Sequence, residues 1–504
     1  MQEVLKLVVR NLHFTVELYD PVYIRVIEHM KTQLSVYSYK YDKFKKRLVN
    51  TLDATYYSYD PRTKEYRFPI TVVKRFMQIL GSNGITKEMI ILEMDKVHKV
   101  ETLRAKVNPK YELRDYQHDY VNTALDNLDK KYLLIDAVMG AGKSLMMSAI
   151  WSNLNMRVGM IVLPKFIKKW IEDLKDYLQL EDEDFYVVQG SESLVALMEE
   201  QDIDYKVILF SMRTVLNYLK DYESGAYEYP VNPQDLFDHL GIGVLANDET
   251  HMEFQSLTYA LTYFDADYFF GSTGTFDSNN KNIKRLYNLV IPKHNRISNL
   301  LNYDPYVNVK SIEYKLKYNK RIKYKRAQGY NHILYEHSII KFPMFKAQYY
   351  KMIDKYINDV YFQKRKDPND KIIIFFASVD MCSDFTEYLK NKYKDENVYR
   401  YIGGDSYNTM LESNIIVSNG GMLGTAVDVK GLIAVIQTVS TSSLQSNLQN
   451  FGRLRKIPDR EVWYYYIFTR NIPRQYHMHI QRYEAIQEKM AYYTHEEYPH
   501  ELKT

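Results

Sequence analysis

The stretch YLLIDAVMGAGKSLMMSAIWSNL (132–154) reads as an apolar strand, a glycine-bearing turn and a helix in direct succession. YLLIDAV (132–138) is a near-continuous apolar run of strand length, and LMMSAIWSNL (145–154) has helical periodicity. Between them, AVMGAGKS (137–144) places glycines at 140 and 142 just before Lys143 and Ser144. A phosphate-binding loop needs this context. The glycines let the backbone close around phosphates, the amides of Gly140, Ala141 and Gly142 turn inward, and the helix N-terminus adds favourable potential. Lys143 would reach the β- and γ-phosphates of ATP, and Ser144 would ligand Mg2+. Ala137 stands where the general pattern has its first glycine. The plain alternative is a glycine-rich turn before a helix, against which the Lys-Ser pair argues.

Outward from this stretch, short apolar runs alternate with helical segments: VGMIVLP (158–164), KVILFS (206–211), IGVLAND (242–248) and YFFGSTG (268–274). Such alternation predicts a parallel sheet covered on both faces, with its chemistry at the carboxyl ends of the strands. One of those ends carries Asp248, Glu249, Thr250 and His251. An Asp at a strand end can hold Mg2+ through its water shell, and a neighbouring Glu can orient and deprotonate an attacking water. Two acids after an apolar run are common; paired with the phosphate loop they are specific. A second series, KIIIFFAS (371–378), VYRYIGG (398–404), NIIVSNG (414–420), IAVIQT (433–438) and VWYYYIF (462–468), predicts a second α/β domain. Between the two series, roughly 277–345, lies a stretch that reads as a polar, basic connection.

Asp-Glu-Thr-His matches the DExH box, and with the phosphate loop and the motifs around them the chain resembles superfamily 2 helicases and translocases across about 113–456. LRDYQ (113–117) looks like the Q motif, which implies that Gln117 reads the adenine and Arg114 supports it. IVLPKFIKKW (161–170) looks like motif Ia, with Pro164 and Lys165 beside the nucleic-acid backbone. FSMRTV (210–215), including Ser211, stands where motif Ib should be, and Thr273-Gly274-Thr275 matches motif III. IIIFFASVDMCSDFTEYL (372–389) looks like motif IV. GTAVDVKGL (424–432) looks like motif V, with Thr425 toward the nucleic-acid backbone and Asp428 toward ATP. QNFGRLR (449–455) looks like motif VI but departs from the usual spacing after Gly452-Arg453, so Arg453 and Arg455 are carried together as candidates for the arginine finger. The resemblance implies two tandem RecA-like parallel-sheet motor domains, an α/β fold, preceded by a small α+β N-terminal domain. The expected boundaries are 1–105, 106–300 and 301–504, the last ending in a helical tail that includes QRYEAIQEKMAYY.

Composition is compatible with this assignment. The chain has 504 residues, 46% hydrophobic and 26% charged, as in globular proteins of several domains. No apolar run is long enough to span a bilayer, and MQEVLKLVVRNLHF has no small-residue cleavage site after its apolar stretch, so no signal peptide or membrane partner is expected. One cysteine, Cys382, excludes an intramolecular disulfide framework and fits a reducing compartment; a cytoplasmic location is expected, that of the host cell for a phage protein. The net charge of +4 says little, but YSYKYDKFKKR (37–47) and KLKYNKRIKYKR (315–326) interleave basic residues with tyrosine. Each is either a solvated face or a set of phosphate contacts. The 48 tyrosines either fill half-buried sites or include rings that stack on bases.

The whole layout is similar to that of phage recombination helicases that branch-migrate DNA. That likeness implies forked or branched DNA as the partner, residues 1–105 as an accessory DNA-binding module, movement 3′ to 5′, and no protein partner. The alternatives are a double-stranded DNA translocase without strand separation, which Trp170 in motif Ia slightly favours; an RNA helicase; and a nucleotide-gated clamp, for which hydrolysis machinery would be superfluous.

Overall fold

The structure is a computed structural model that describes residues 3–42, 47–95, 98–138, 140–274, 276–277, 280–300, 305–317, 321–326, 329–403, 405–420 and 429–503; element counts are of these residues. The chain divides into two compact units, Met1–Asn302 and Tyr303–Thr504.

Unit 1 begins with β1 (Leu5–Val9), β2 (His13–Leu18), α1 (Ile24–Gln33), β3 (Ser35–Asp42) and β4 (Arg47–Thr55). It continues with β5 (Ser58–Asp60), β6 (Glu65–Pro69), α2 (Val73–Ser82) and β7 (Ile90–Met94). Five of these strands form a mixed sheet in the order β5-β6-β2-β1-β7, while β3 and β4 pair as a separate antiparallel ribbon. The sheet packs the apolar stripes of α1 (Val26, Ile27, Met30) and α2 (Phe76, Ile79, Leu80) into one core with Leu5, Leu7, Phe14 and Val16. The N-terminal element is therefore α+β, as expected. The stretch 37–47 forms part of the ribbon, with Tyr37 and Tyr39 exposed on it; residues 43–46 lie outside the described residues.

The rest of unit 1 holds α3 (Asp115–Leu125), β8 (Tyr132–Asp136), α4 (Lys143–Leu154), β9 (Val158–Val162) and α5 (Pro164–Leu178). Then follow β10 (Phe185–Val188), β11 (Val207–Ser211), β12 (Val244–Asp248), β13 (Tyr268–Thr273) and β14 (Arg296–Ser298). All seven strands are parallel, in the order β10-β11-β9-β12-β13-β8-β14. Buried on both faces, β9 and β11 are buried at every position and carry no charged residue, and α4 is buried from Leu145 through Trp151. This is the first RecA-like domain. Two of its strands, β10 and β14, are edge strands too short to stand out in the sequence.

Unit 2 contains β15 (Val307–Leu316), the small hairpin β16 (Lys325–Arg326) and β17 (Gly329–Tyr330), β18 (Lys371–Phe376) and β19 (Val398–Tyr401). Its remaining strands are β20 (Ile415–Asn419), β21 (Leu432–Gln437), β22 (Val462–Phe468) and β23 (Met490–Leu502). Seven of them form a second parallel sheet, β19-β20-β18-β21-β22-β15-β23, the second RecA-like domain.

Two expectations are corrected here. The supposed connection at 277–345 supplies β14 to the first sheet and β15 to the second; VNVKSIEYKL mixes apolar with polar residues, and its charges disguise a strand buried at most of its positions. The expected helical tail stops at Ile486. After one short turn the chain becomes the thirteen-residue edge strand β23, because pairing with β15 outweighs local preference. The tyrosines at 132, 218, 263, 314, 335, 349 and 356 are fully buried, which makes them core residues at those positions. Among the described residues no helix is long and apolar enough to cross a membrane.

Within unit 1 the N-terminal sheet is joined to the motor sheet through buried polar contacts. Arg67 on β6 binds Asp60 at 2.9 Å and stacks over the ring of Tyr263 at 4.7 Å, with both charged side chains out of solvent. Asp265 accepts from the backbone of Asn11 and Leu12 and contacts His98 Nε2 at 2.9 Å. Ser58 and Thr262 share a hydrogen bond of 2.7 Å. Removing one partner of a buried pair leaves the other without compensation. Arg67→Ala should therefore destabilise unit 1 by about 3 kcal/mol in urea denaturation, and Arg67→Ala with Asp60→Asn should lose less than the single variant.

Candidate nucleotide and nucleic-acid site

Because every strand of the first motor sheet runs the same way, the loops after β8, β9, β11, β12 and β13 all leave from one edge. That edge receives Gly140–Ser144, Pro164–Lys165, Ser211, Asp248–Glu249 and Thr273.

The loop after β8 turns through positive φ at Gly140 (85°) and Gly142 (79°), the left-handed region that favours glycine. Gly142 is the N-cap of α4 and has no side-chain cap, so the first-turn amides face an anion site rather than a neighbouring carboxylate. Lys143 Nζ reaches back only weakly, 3.4 Å from the carbonyl of Ala137. An uncapped buried helix with a lysine at its first position and a serine at its second is a donor set that fits a nucleotide polyphosphate and its magnesium ion.

Gln117 is committed to this loop. Its Oε1 accepts from Arg114 N–H at 2.9 Å, and its Nε2 donates to the carbonyl of Ala141 at 2.8 Å. Tyr116 donates to the same carbonyl at 3.2 Å, and Arg114 Nη1 donates to Tyr116 Oη at 3.2 Å. A Cβ on Gly142 would run into Gln117 Nε2. In this structure the glutamine holds the phosphate loop, a role that the sequence does not suggest.

The carboxylate of Asp248 is held from three directions. Oδ1 accepts from Ser272 Oγ at 2.6 Å and from Glu249 N–H at 2.9 Å, and Oδ2 accepts from Trp170 Nε1 at 3.2 Å. Register explains the serine, since Asp248 and Ser272 are neighbours on β12 and β13. Glu249 is 6% exposed and sits at φ 51°, a left-handed conformation that costs a non-glycine residue of order 1 kcal/mol. Burial, with Asp248 beside it, pushes its carboxyl up to about 7, against the opposing pull of Lys143 and the Gly274 amide. His251 is driven down to about 4 by burial and by Lys143. It is therefore neutral at pH 7, with Nδ1 2.8 Å from Thr273 Oγ1 and 3.3 Å from Glu249 Oε2. The histidine thus ties the acidic pair to the end of β13; Thr275 lies outside the described residues.

Pro164 and Lys165 open α5 and are exposed, whereas Ser211, at the end of β11, is 2% exposed. In unit 2 Arg453 is buried, with its guanidinium 5.9 Å from the ring centroid of Phe375, and Arg455 donates to the carbonyl of Gly452. Thr425 and Asp428 lie outside the described residues. Two contributors to the geometry, Trp170 as a donor to Asp248 and Ser272 as its partner, carry no local signal of that role. The first contact spans 78 positions and the second 24.

Glu249 has a direct consequence for stability. Its folded-state affinity for a proton is raised, so its favourable contribution is complete below about pH 4.5 and is lost as pH rises through about 7. In denaturant titrations without metal or nucleotide, Glu249→Gln should match the parent near pH 4.5 and exceed it by about 1–3 kcal/mol at pH 8.

Residues 110–278 match the family model described as Type III restriction enzyme, res subunit, and the matched segment contains Arg114, Gln117, the loop at 140–144, Asp248–Glu249 and Thr273. No curated protein matches the chain. Among solved structures, the crystal structure of UvsW from T4 is similar over 99% of this chain and 100% of that one, at 15% sequence identity and a TM-score of 0.33. Over 110–278 the chain is thus similar to this family, in the segment where its motifs stand in the order that resembles superfamily 2 helicases.

Proposed function

We propose that this protein is an ATP-dependent DNA helicase that unwinds and branch-migrates forked or junction DNA, in phage recombination, repair or replication, working in the host cytoplasm. The observation that carries it is the single sheet edge on which the open N-terminus of α4, the clasped acidic pair and the exposed start of α5 come together. Mg·ATP bound there supplies the phosphoanhydride whose cleavage drives the motor. Gly140, Ala141 and Gly142 cradle the phosphates with their amides, Lys143 neutralises them, and Ser144 and Asp248 hold the metal. Glu249 orients a water and takes its proton, a task suited to a carboxyl poised near neutral pH. Gln117 and Arg114 serve the base end of the nucleotide, with Asp428, and Gln117 reports on it through its bond to the Ala141 carbonyl.

Arg453 and Arg455 are assigned as the pair that stabilises charge on the γ-phosphate, by their place in motif VI. Pro164, Lys165, Ser211 and Thr425 are assigned to the nucleic-acid backbone, where contacts position the strand without reading sequence. Residues 1–105 are assigned as an accessory DNA-binding module. A second reading, a double-stranded DNA translocase without strand separation, is favoured by the family model, whose description is of a restriction-enzyme subunit.

Lys143→Ala should lower ATP turnover by about 10²-fold or more while leaving DNA binding largely intact; continued hydrolysis would remove the phosphate-loop assignment. A panel of a synthetic fork, a four-way junction, blunt duplex and single-stranded RNA, run with ATP and with a non-hydrolysable analogue, separates the activities. Strand release from the fork and junction, with ATPase stimulated by DNA, is the expected result. Displacement of a triplex with no strand release would favour the translocase, and stimulation by RNA alone would reverse the choice of substrate.

A further inference from the structure

Helix α5 lies against the acidic pair along one side, and its residues reach that pair in two ways. Trp170, fully buried, donates its indole N–H to Asp248 Oδ2 at 3.2 Å. Lys165 and Lys169, one helical turn apart, act through charge. Lys165 is exposed as a residue, yet the surroundings of its ammonium depress it, which Glu249 opposes; burial acts likewise on Lys169, but Asp173 at 3.0 Å and Asp248 outweigh it and raise the group. The rest of the inward stripe, Phe166, Ile167, Leu174 and Leu178, is apolar and buried, so α5 sits as a rigid piece on the sheet.

Donor counting makes the tryptophan contact specific. A carboxylate offers about four acceptor sites. Ser272 Oγ, Glu249 N–H and Trp170 Nε1 use three of them, two on Oδ1 and one on Oδ2. An indole N–H only donates, so it holds Asp248 as an acceptor and sets which side of Oδ2 stays open. Were the aspartate to swing away, the buried indole N–H would be left without its partner, which disfavours that movement. Trp170 itself is braced by Trp151 of α4, ring centroids 5.8 Å apart, which links the clasp to the helix that follows the phosphate loop.

The other end of α5 is its start, Pro164–Lys165, exposed at the same sheet edge. Six residues of helix, about 9 Å, separate it from Trp170, and a helix of this length moves as one body. We propose that Trp170 is a positioning residue for Asp248, and that through it α5 couples a nucleic-acid backbone held at Pro164–Lys165 to the carboxylate that holds the catalytic metal. The coupling half rests on the helicase function proposed above; the positioning half does not.

The test is Trp170→Phe in the full chain, which keeps an aromatic ring against Trp151 and removes the donor. Two readouts are taken: binding of Mn2+ with ADP, followed by the electron paramagnetic resonance of free Mn2+, and steady-state ATPase with and without DNA. The expected result is Mn2+ half-saturation raised at least threefold, kcat with DNA lowered about tenfold, KM for ATP within twofold of the parent, and a reduced ratio of stimulated to basal rate. Unchanged metal binding and an unchanged ratio in a folded Trp170→Phe protein would overturn the proposal. An equal fall in basal and stimulated rates with parental metal binding would also overturn it, by showing a packing role alone. If the parent binds Mn·ADP but no nucleic acid stimulates it, the helicase function and the coupling half fall together, while the metal readout still decides the positioning half. Should Trp170→Phe not fold, benzothienylalanine at position 170 keeps the two-ring shape without the N–H, and the same outcomes apply.

Discussion

The structure of unit 1 depends on one constraint: a parallel sheet buried on both faces leaves its polar chemistry nowhere to go but the edge where the strands end. Along β9 and β11 there is no position for a charged side chain, because helices cover both faces. Polar groups therefore collect at and just after the last residues of the strands, and strand order decides which of them meet. β13 lies between β8 and β12, so Ser272 falls beside Asp248, and Thr273 lies between the phosphate loop and the DExH segment. The result is a densely hydrogen-bonded cluster in which each acid is held differently. Asp248 is fixed by three donors, while Glu249 is kept in a strained backbone and a protonation balance near neutral pH.

The same economy governs the N-terminal sheet. It does not hang from the motor by a linker; its hydrophobic residues belong to a core that runs from Val4 to Ile291. Arg67, Ser58, Asn11 and His98 meet side chains of the segment 262–265, which lies just before β13, and Asp60 binds Arg67. The N-terminal sheet is therefore tied by packed, buried contacts to the segment just before the strand that carries Ser272 and Thr273. The ribbon of β3 and β4 is a different kind of element, with Tyr37, Tyr39, Leu48 and Leu52 open to solvent.

Much of this was legible from local patterns. The strand, loop and helix of 132–154 are contiguous, so their reading needs no knowledge of what packs on them. The five later runs ending at 378, 404, 420, 438 and 468 likewise overlap β18 to β22, since strands covered on both faces are mostly apolar. β15 and β23 were not legible, because each is charged on one side and owes its existence to a partner far along the chain. Of the candidate site residues, the glycine-bearing turn at 140–144 and the acidic pair at 248–249 were placed at strand ends from their own neighbours, and the structure puts them there. Gln117 could be named but not its use, because its bond to the Ala141 carbonyl spans 24 positions.

Alone, the sequence determined that unit 1 has a glycine-bearing turn between the first strand and first following helix of its parallel sheet, an acidic pair at the end of another strand, and motifs in an order that resembles that of helicases. These are properties of short segments, set by glycine φ angles, helix N-termini and runs of apolar residues. Only the tertiary structure decided that Trp170 clasps Asp248, that His251 joins Glu249 to Thr273, and that Arg67 binds the N-terminal sheet to the motor. Those contacts depend on strand order and on which face of each helix turns inward, and no single segment of the chain contains that information.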